Sequence, residues 1–304
     1  MKMIVLCALI VVTSALVMAG VLRRPTAVVA EHSAAQATAG GAPSPVGEPA
    51  APAAAPRAPA SAWRRPDPPP QLAGFYADQG RAQLGLITEL ETDPRLPAEV
   101  VRFLRAAIED RTLEDVTRNN MANCLRIQAD HDAGLAALFT RMTDDAAESP
   151  TWREYAVQHL AGAAAFAADP RAAIDALWRL AEHGAGSIPG TALLQLDLLE
   201  QQGATTLDDR YSALLARTAA NESAGAAARM AALGLIGQRD AQAALGAVRK
   251  CAGSGDPSLR RVAIATLGLA GNQGDRPLIT AAMSDRDPAV SAAAAVAIAN
   301  IHER

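Results

Sequence analysis

Aromatic residues and strand-forming runs are scarce in this chain. Phe, Trp and Tyr make up 3% of the 304 residues, although half of the residues are apolar. Alanine supplies much of that apolar content, and alanine is the best helix former because it loses no side-chain entropy in a helix. Beyond the N-terminus there are hardly any segments rich in Val, Ile, Thr and Tyr, so β-sandwiches and barrels are excluded and an all-α protein is predicted.

Cysteine is also rare, with only Cys7, Cys124 and Cys251. No pair shows the CxxC or Cys/His spacing of a zinc site. A disulfide between Cys124 and Cys251 would suit an exported protein, but in a linear helical array these residues would lie several repeats apart. We therefore expect two buried thiols.

The chain has fewer basic than acidic residues. The formal net charge is −4, and from Ala73 onward 29 acidic and 22 basic residues give 22 − 29 = −7. Nucleic-acid binding needs a cationic surface, so no nucleic-acid partner is expected.

The usual signatures of catalysis are missing. The sequence contains no HExxH, GxSxG, phosphate-loop or dinucleotide-binding glycine pattern. A lone histidine on a helix is more often structural than catalytic, and His159, beside Leu160, is interpreted in this way at the top of a helix face. No catalytic residue, metal ligand or cofactor is predicted. The five histidines are His32, His131, His159, His183 and His302.

The first 24 residues predict an export or anchoring signal. Twenty uncharged residues, Met3 to Leu22, lie between Lys2 and Arg23-Arg24, and a bilayer core requires about 20 apolar residues in a helix. An uncleaved anchor is favoured slightly over a signal peptide, for which Ala19 or Ala30 could end the cleavage site. We expect the rest of the chain to lie outside the cytoplasmic membrane, held by this anchor, or to be periplasmic or secreted after cleavage.

Residues 25–70 are rich in Ala, Pro, Gly and Ser. Proline disfavours helix and sheet, and the segment has too little bulky apolar surface to offset the entropy of ordering. It is predicted to be a disordered linker, with a Pro-rich ligand for a partner domain as the alternative.

The remaining sequence repeats itself. Asp256-Pro257 returns as Asp287-Pro288, 31 residues later. Proline at this position suits the first turn of a helix, as Pro150 also would. When the repeats are aligned, one apolar position recurs in six copies. In three of these copies an arginine stands seven residues before it. The aligned residues are Leu125, Leu160, Leu196, Leu233, Leu267 and Ile298, and the arginines are Arg118, Arg153 and Arg260.

Each of these first helices is followed by a turn and a second amphipathic run. Two helices cannot bury their apolar faces alone, but stacked pairs form a continuous core. The sequence predicts an N-terminal helical cap over 71–111 and about five helix pairs plus a terminal helix over 112–304.

"DPSLRRVAIATLGLAG" and "RPLITAAMSDRDPAV" resemble HEAT repeats, specifically the short HEAT-like variety first associated with phycobilin lyases. The resemblance implies a right-handed α-solenoid. Deoxyhypusine hydroxylase, an enzyme family with HEAT-like repeats, resembles this architecture and holds a di-iron site with repeated His-Glu pairs. Here His-Glu occurs once, at His302-Glu303, so neither that activity nor lyase activity is expected.

One pattern predicts a binding surface. Four arginines fall in the last turns of predicted second helices, with spacings of 38, 38 and 32 residues. Second helices line the concave face of a HEAT-type stack, so these side chains would form a basic stripe suited to carboxylates or phosphates. The alternative is that they offset helix dipoles. The four residues are Arg141, Arg179, Arg217 and Arg249.

From these features the sequence predicts a non-catalytic scaffold of the cell envelope that binds a partner protein on its concave face. Two alternatives stay open. One is an enzyme or enzyme subunit that uses a bound metal or small molecule, and the other is a purely structural spacer.

Overall fold

The protein is described by a computed structural model covering residues 64–77, 81–93, 95–128, 134–165, 169–239 and 241–302. Every regular element in these ranges is helical, which confirms the predicted all-α class. The predicted signal segment and most of the predicted linker lie outside the described residues. Within the described part, no helix is both long and apolar enough to cross a membrane.

Thirteen α-helices and three short 3₁₀ turns make up the described chain. The 3₁₀ turns are Pro70–Leu72, Gln242–Ala244 and Gln273–Asp275. The α-helices are α1 (Arg81–Leu90), α2 (Ala98–Ala107), α3 (Asp115–Arg126), α4 (Gly134–Asp144), α5 (Pro150–Ala164), α6 (Arg171–His183), α7 (Ile188–Gln201), α8 (Asp209–Ala220), α9 (Ala226–Gln238), α10 (Leu245–Ala252), α11 (Pro257–Ala270), α12 (Arg276–Ala282) and α13 (Pro288–His302).

The helices form a stack of pairs. The odd-numbered helices, called first helices here, pack each against the next from α1 to α13. The even-numbered second helices pack against the first helix of the following pair, as α4 does on α5 and α10 on α11. One continuous core of buried residues runs through the stack. This arrangement is consistent with an α-solenoid.

Helix starts follow the predicted proline pattern. Pro150 and Pro257 open α5 and α11, where the missing N–H of proline needs no partner. The preceding residues cap these helices: Ser149 Oγ accepts from Trp152 N at 2.9 Å, and Asp256 Oδ1 accepts from Ser258 N at 2.8 Å. Pro288 opens α13 in the same way.

The helix starts correct the sequence alignment of the repeats. Leu267 is the eleventh residue of α11, whereas Leu233 is the eighth residue of α9 and Leu196 the ninth of α7. These two residues were therefore aligned two or three positions out of register. The error arose because apolar residues recur every three or four positions in a helix, so a slip of three preserves the pattern. In the correct register Arg229, the fourth residue of α9, is a further copy of the repeated arginine.

The repeated arginine joins one helix pair to the next. It is the fourth residue of its first helix. In three of the four copies its Nε donates to a carbonyl ten residues earlier, at the end of the preceding second helix, whereas Arg260 Nε donates to Asp285 Oδ2. In the three copies the bond satisfies a carbonyl that has no partner within its helix and places a cation at the negative end of the helix dipole. The bonds are Arg118 to Ile108 at 2.8 Å, Arg153 to Thr143 at 3.0 Å and Arg229 to Ala219 at 3.0 Å.

Glycine lets the first helices approach closely. A Cβ on Gly268 of α11 would lie 2.7 Å from Ala297 Cα of α13. A Cβ on Gly190 of α7 would lie 2.7 Å from Ala228 Cα of α9. The alanine-rich first helices therefore pack with almost no space between their backbones.

Cys124 and Cys251 are buried free thiols, as predicted. Burial, followed by the charge of Glu91, raises the pKa of the Cys124 thiol to about 12.

Candidate functional site on the first helices

The four arginines predicted to bind a partner all lie on second helices. Arg141, Arg217 and Arg249 are in the last turns of α4, α8 and α10. Arg179 lies one turn before the end of α6, because that helix continues to His183. Arg105, in the last turn of α2 and 36 residues before Arg141, extends the row. The sequence does not place it in the row, because residues 71–111 are off the repeat register and predict a cap.

Three of these arginines face carboxylates at, or just past, the end of the preceding second helix. Each carboxylate lies three or four residues after the arginine of its own helix, so positive and negative charges alternate along the row. The nitrogen–oxygen distances are 3.4 Å for Arg141 and Glu109, 2.8 Å for Arg179 and Asp144, and 3.7 Å for Arg217 and Glu182. Partner binding at this row stays a prediction, and its charges are locally compensated.

Arg249 differs from the other three because its carboxylate belongs to the next pair and is buried. Its Nε and Nη2 donate to Asp275 at 2.6 and 3.1 Å. The Asp275 side chain is 3% exposed. The hydrogen bond from Arg249 lowers the pKa of Asp275 below its usual value.

A cluster of polar side chains lies on the first helices α3 and α5. His159 of α5 is 3% exposed, so the prediction that it tops a helix face is wrong. Its Nε2 is 3.0 Å from Asn119 Oδ1 of α3. Because this amide oxygen only accepts, the imidazole carries its proton on Nε2. The ring stacks on Phe139 of α4 with centroids 5.2 Å apart.

The other side chains of the cluster come from α3 and from the end of α1. Asn119, Asn123 and Arg126 follow one another at helical spacing on α3. Glu91, just after α1, is hydrogen-bonded to Asn123, and its pKa is raised by burial despite that bond. Arg126 lies over Gly162 of α5, where a Cβ would be 2.5 Å from its Nη1. We call Glu91, Asn119, Asn123, Arg126 and His159 the polar cluster.

The electrostatics of the polar cluster keep its imidazole neutral. Burial, and then the positive charge of Arg126, hold the pKa of His159 well below that of a free histidine. Its Nδ1 is buried and has no hydrogen-bond partner among the described residues. The cluster therefore holds a neutral base whose enclosed acceptor nitrogen has no partner among the described residues, with amide, carboxylate and guanidinium groups in the same cluster.

Sequence reasoning could not assemble this cluster, because its members belong to three helix pairs. The sequence feature that could have indicated the cluster is the helical spacing of two asparagines of α3, Asn119 and Asn123. In the described ranges, no three His, Cys, Asp or Glu side chains are grouped so that they could hold a metal ion.

A shallow cleft of about 630 Å³ lies elsewhere, at the start of α6. Asp169 and Arg171 at its rim are 3.6 Å apart and largely exposed. None of the residues of the polar cluster lines it, and we assign it no role.

Comparisons with known proteins identify similarity at the level of solved structures. No family model matches the sequence, and no curated protein matches it. The solved structure of human deoxyhypusine hydroxylase in complex with glycerol is similar over 77% of this chain and 99% of its own. The identity is 17% and the TM-score 0.28.

This comparison corrects the predicted function. The sequence predicts a non-catalytic scaffold and no enzyme, whereas this solved structure is that of an enzyme. The finding agrees with the alternative of an enzyme or enzyme subunit better than with the scaffold. At this TM-score the likeness carries no argument about a reaction, a substrate or a residue.

Proposed function

We propose that this chain is an enzyme or enzyme subunit that binds a small polar molecule at the polar cluster. The observation that carries the proposal is the buried, unprotonated Nδ1 of His159, which has no hydrogen-bond partner in the described residues, on an imidazole whose Nε2 contacts Asn119. A buried polar atom without a partner costs about 1–3 kcal/mol. A ligand that donates a hydrogen bond to Nδ1 would remove that cost.

The surrounding groups favour a ligand that carries both donor and anionic groups. The asparagine amides offer donors and acceptors, and Arg126 places positive charge beside the imidazole. A carboxylic acid or phosphate ester that also bears a hydroxyl or amino group has this combination. In a reaction, a neutral imidazole next to such a group could accept a proton as a general base.

The test is a thermal-shift screen of the full chain against hydroxy acids, amino acids, sugar phosphates and nucleotides. Three proteins are compared: the wild type, Asn119→Ala, which removes the acceptor holding His159 Nε2–H, and Gln158→Ala. Gln158 is the exposed neighbour of His159, so its replacement is the matched control.

A ligand of the polar cluster should raise the melting temperature of the wild type and of Gln158→Ala by several degrees, but not that of Asn119→Ala. The proposal is wrong if no compound of the panel stabilises the wild type, or if the stabilisation persists undiminished in Asn119→Ala.

A further inference from the structure

The solvent face of the first helices α7, α9, α11 and α13 is apolar. Leu194, Leu269 and Val296 on this face are 41%, 46% and 64% exposed. Helix α13 contains no charged residue over its 15 positions, and α9 contains one, Arg229, which bonds to the carbonyl of Ala219. A helix that is apolar on every side is usually buried on every side. We call this surface the apolar face.

The apolar face follows the helix register. Gly234, Ala265 and Val296 are each the ninth residue of α9, α11 and α13, and are spaced by 31 residues. They form a row across three adjacent helices. None of the exposed described residues of these three helices is charged, and the charged residues Arg229, Arg260 and Arg261 are half-buried. The second helices, in contrast, carry the alternating row of arginines and carboxylates.

Gly234 leaves the centre of the apolar face without a side chain. Gly190, Gly237 and Gly268 each lie where the neighbouring first helix passes within contact distance of an added Cβ. A Cβ on Gly234 would meet no atom within 4 Å. Glycine inside a helix costs about 1 kcal/mol relative to alanine, and no contact among the described residues accounts for Gly234, as none does for Gly85 and Gly246.

The size of the apolar face suits a dimer. Four helices of about 20 Å length, spaced by about 9 Å, present about 700 Å². A stable interface buries about 800 Å² on each partner. A surface with so little charge can also face a copy of itself without repulsion between like charges.

We propose that the apolar face is the interface of a two-fold symmetric dimer, in which a second copy of this chain lies against Gly234 and Ala265. The side chains of Leu194, Leu269 and Val296 surround Gly234 and Ala265 and pack against their counterparts in the second copy. The small residues of the row let the backbones of the two copies approach closely, as the first helices do within one chain.

The test measures the mass of the purified full chain by light scattering and sedimentation over a range of concentrations up to about 100 μM. Gly234→Glu adds a charge at the centre of the apolar face, and Val296→Glu adds one toward its edge. The control, Ala213→Glu, adds the same charge at an exposed position of the second helix α8. Circular dichroism establishes that each variant is folded.

The wild type and Ala213→Glu should be dimers, and Gly234→Glu should weaken association by more than 100-fold while keeping its helical content. A monomeric wild type over the whole range overturns the proposal. Association that survives both Gly234→Glu and Val296→Glu also overturns it, because the contact would then lie elsewhere. Binding of the monomeric wild type to phosphatidylcholine vesicles would assign the apolar face to a lipid surface instead.

Discussion

Arg118 and Glu148 form a buried, two-bond ion pair between α3 and the segment before α5. Arg118 Nη1 and Nη2 donate to Glu148 Oε2 and Oε1 at 2.8 and 2.9 Å. Their side chains are 2% and 4% exposed. The guanidinium also lies over the ring of Trp152, 4.1 Å from its centroid. One arginine therefore joins the end of α2, the start of α5 and the start of its own helix.

Replacing one partner of this pair should destabilise the protein strongly. Arg118→Met leaves the Glu148 carboxylate buried without its main partner, and breaking a buried pair costs about 3–5 kcal/mol. The free energy of unfolding, measured by urea denaturation, should fall by that amount. In the double variant Arg118→Met/Glu148→Met the loss should be smaller, because no buried charge is left unpaired. Equal losses in the single and double variants would contradict this account.

The hydrogen bond made by a repeated arginine should contribute measurably to the free energy of unfolding. Arg153→Gln removes the bond from Nε to the Thr143 carbonyl at the end of α4. We expect a loss of about 1–2 kcal/mol in the free energy of unfolding. Arg171→Gln is the control, because Arg171 is 87% exposed and should change stability by less than about 0.5 kcal/mol. A similar effect of both replacements would mean that the interhelix bond contributes little.

The arginine row should contribute unequally to stability. Arg179 and Asp144 are about half exposed, and such pairs contribute about 0–1 kcal/mol. Arg249→Gln should cost more, about 1.5–3 kcal/mol, because it removes hydrogen bonds to the buried Asp275 carboxylate. Chemical denaturation of Arg179→Gln and Arg249→Gln compares the two directly. Greater destabilisation by Arg179→Gln would contradict the assignment.

Glycine at the crossing of α11 and α13 should be required for packing. Gly268→Ala places a methyl group 2.6 Å from Ala297 Cβ, and overpacking of this kind costs about 1–3 kcal/mol. Gly85→Ala in α1 is the matched control, because its Cβ would meet no atom within 4 Å. That replacement should stabilise the protein by up to about 1 kcal/mol. The melting temperatures should therefore move in opposite directions.

The helical class and several helix starts are predictable from the sequence because they follow local rules of helix formation. Pro150, Pro257 and Pro288 identify helix starts because proline is tolerated in the first turn and nowhere later. The register of α7 and α9 was wrong because Leu196 and Leu233 repeat at three- and four-residue steps that fit more than one alignment. The capping bonds of Arg118 and Arg229 resolve the register, but they exist only after the chain has folded.

The candidate site was less predictable than the fold. Asn119 and His159 are 40 residues apart, and neither is part of a recognised sequence motif. Their contact depends on how α3 packs against α5, which no local sequence pattern specifies. The arginine row was visible in sequence because it is periodic, but the carboxylates that compensate it come from neighbouring helices.

The stability of the protein should depend on pH through His159. The pKa of His159 in the folded protein is held below the value of about 6.5 in an unfolded chain, so below that pH the unfolded state binds the proton more readily. The free energy of unfolding is therefore unaffected above pH 6.5 and falls as the pH decreases toward the folded pKa, by up to about 1.4 kcal/mol per pH unit. Urea denaturation between pH 7.5 and 5 should show this slope in the wild type and in His183→Gln, but not in His159→Phe. An identical slope in His159→Phe would exclude His159 as the cause.

Nitrogen NMR of the full chain labelled with ¹⁵N-histidine tests the central claim most directly, because it observes Nδ1 and Nε2 of His159 separately. His159→Phe assigns the resonances. The account predicts a neutral imidazole protonated on Nε2, whose Nδ1 signal stays that of an unprotonated nitrogen from pH 7.5 to 5.5 and shifts when a stabilising ligand is added. A His159 that takes up a proton near pH 6.5 like a free histidine, or one protonated on Nδ1, would contradict the polar cluster as a site whose acceptor nitrogen has no partner among the described residues.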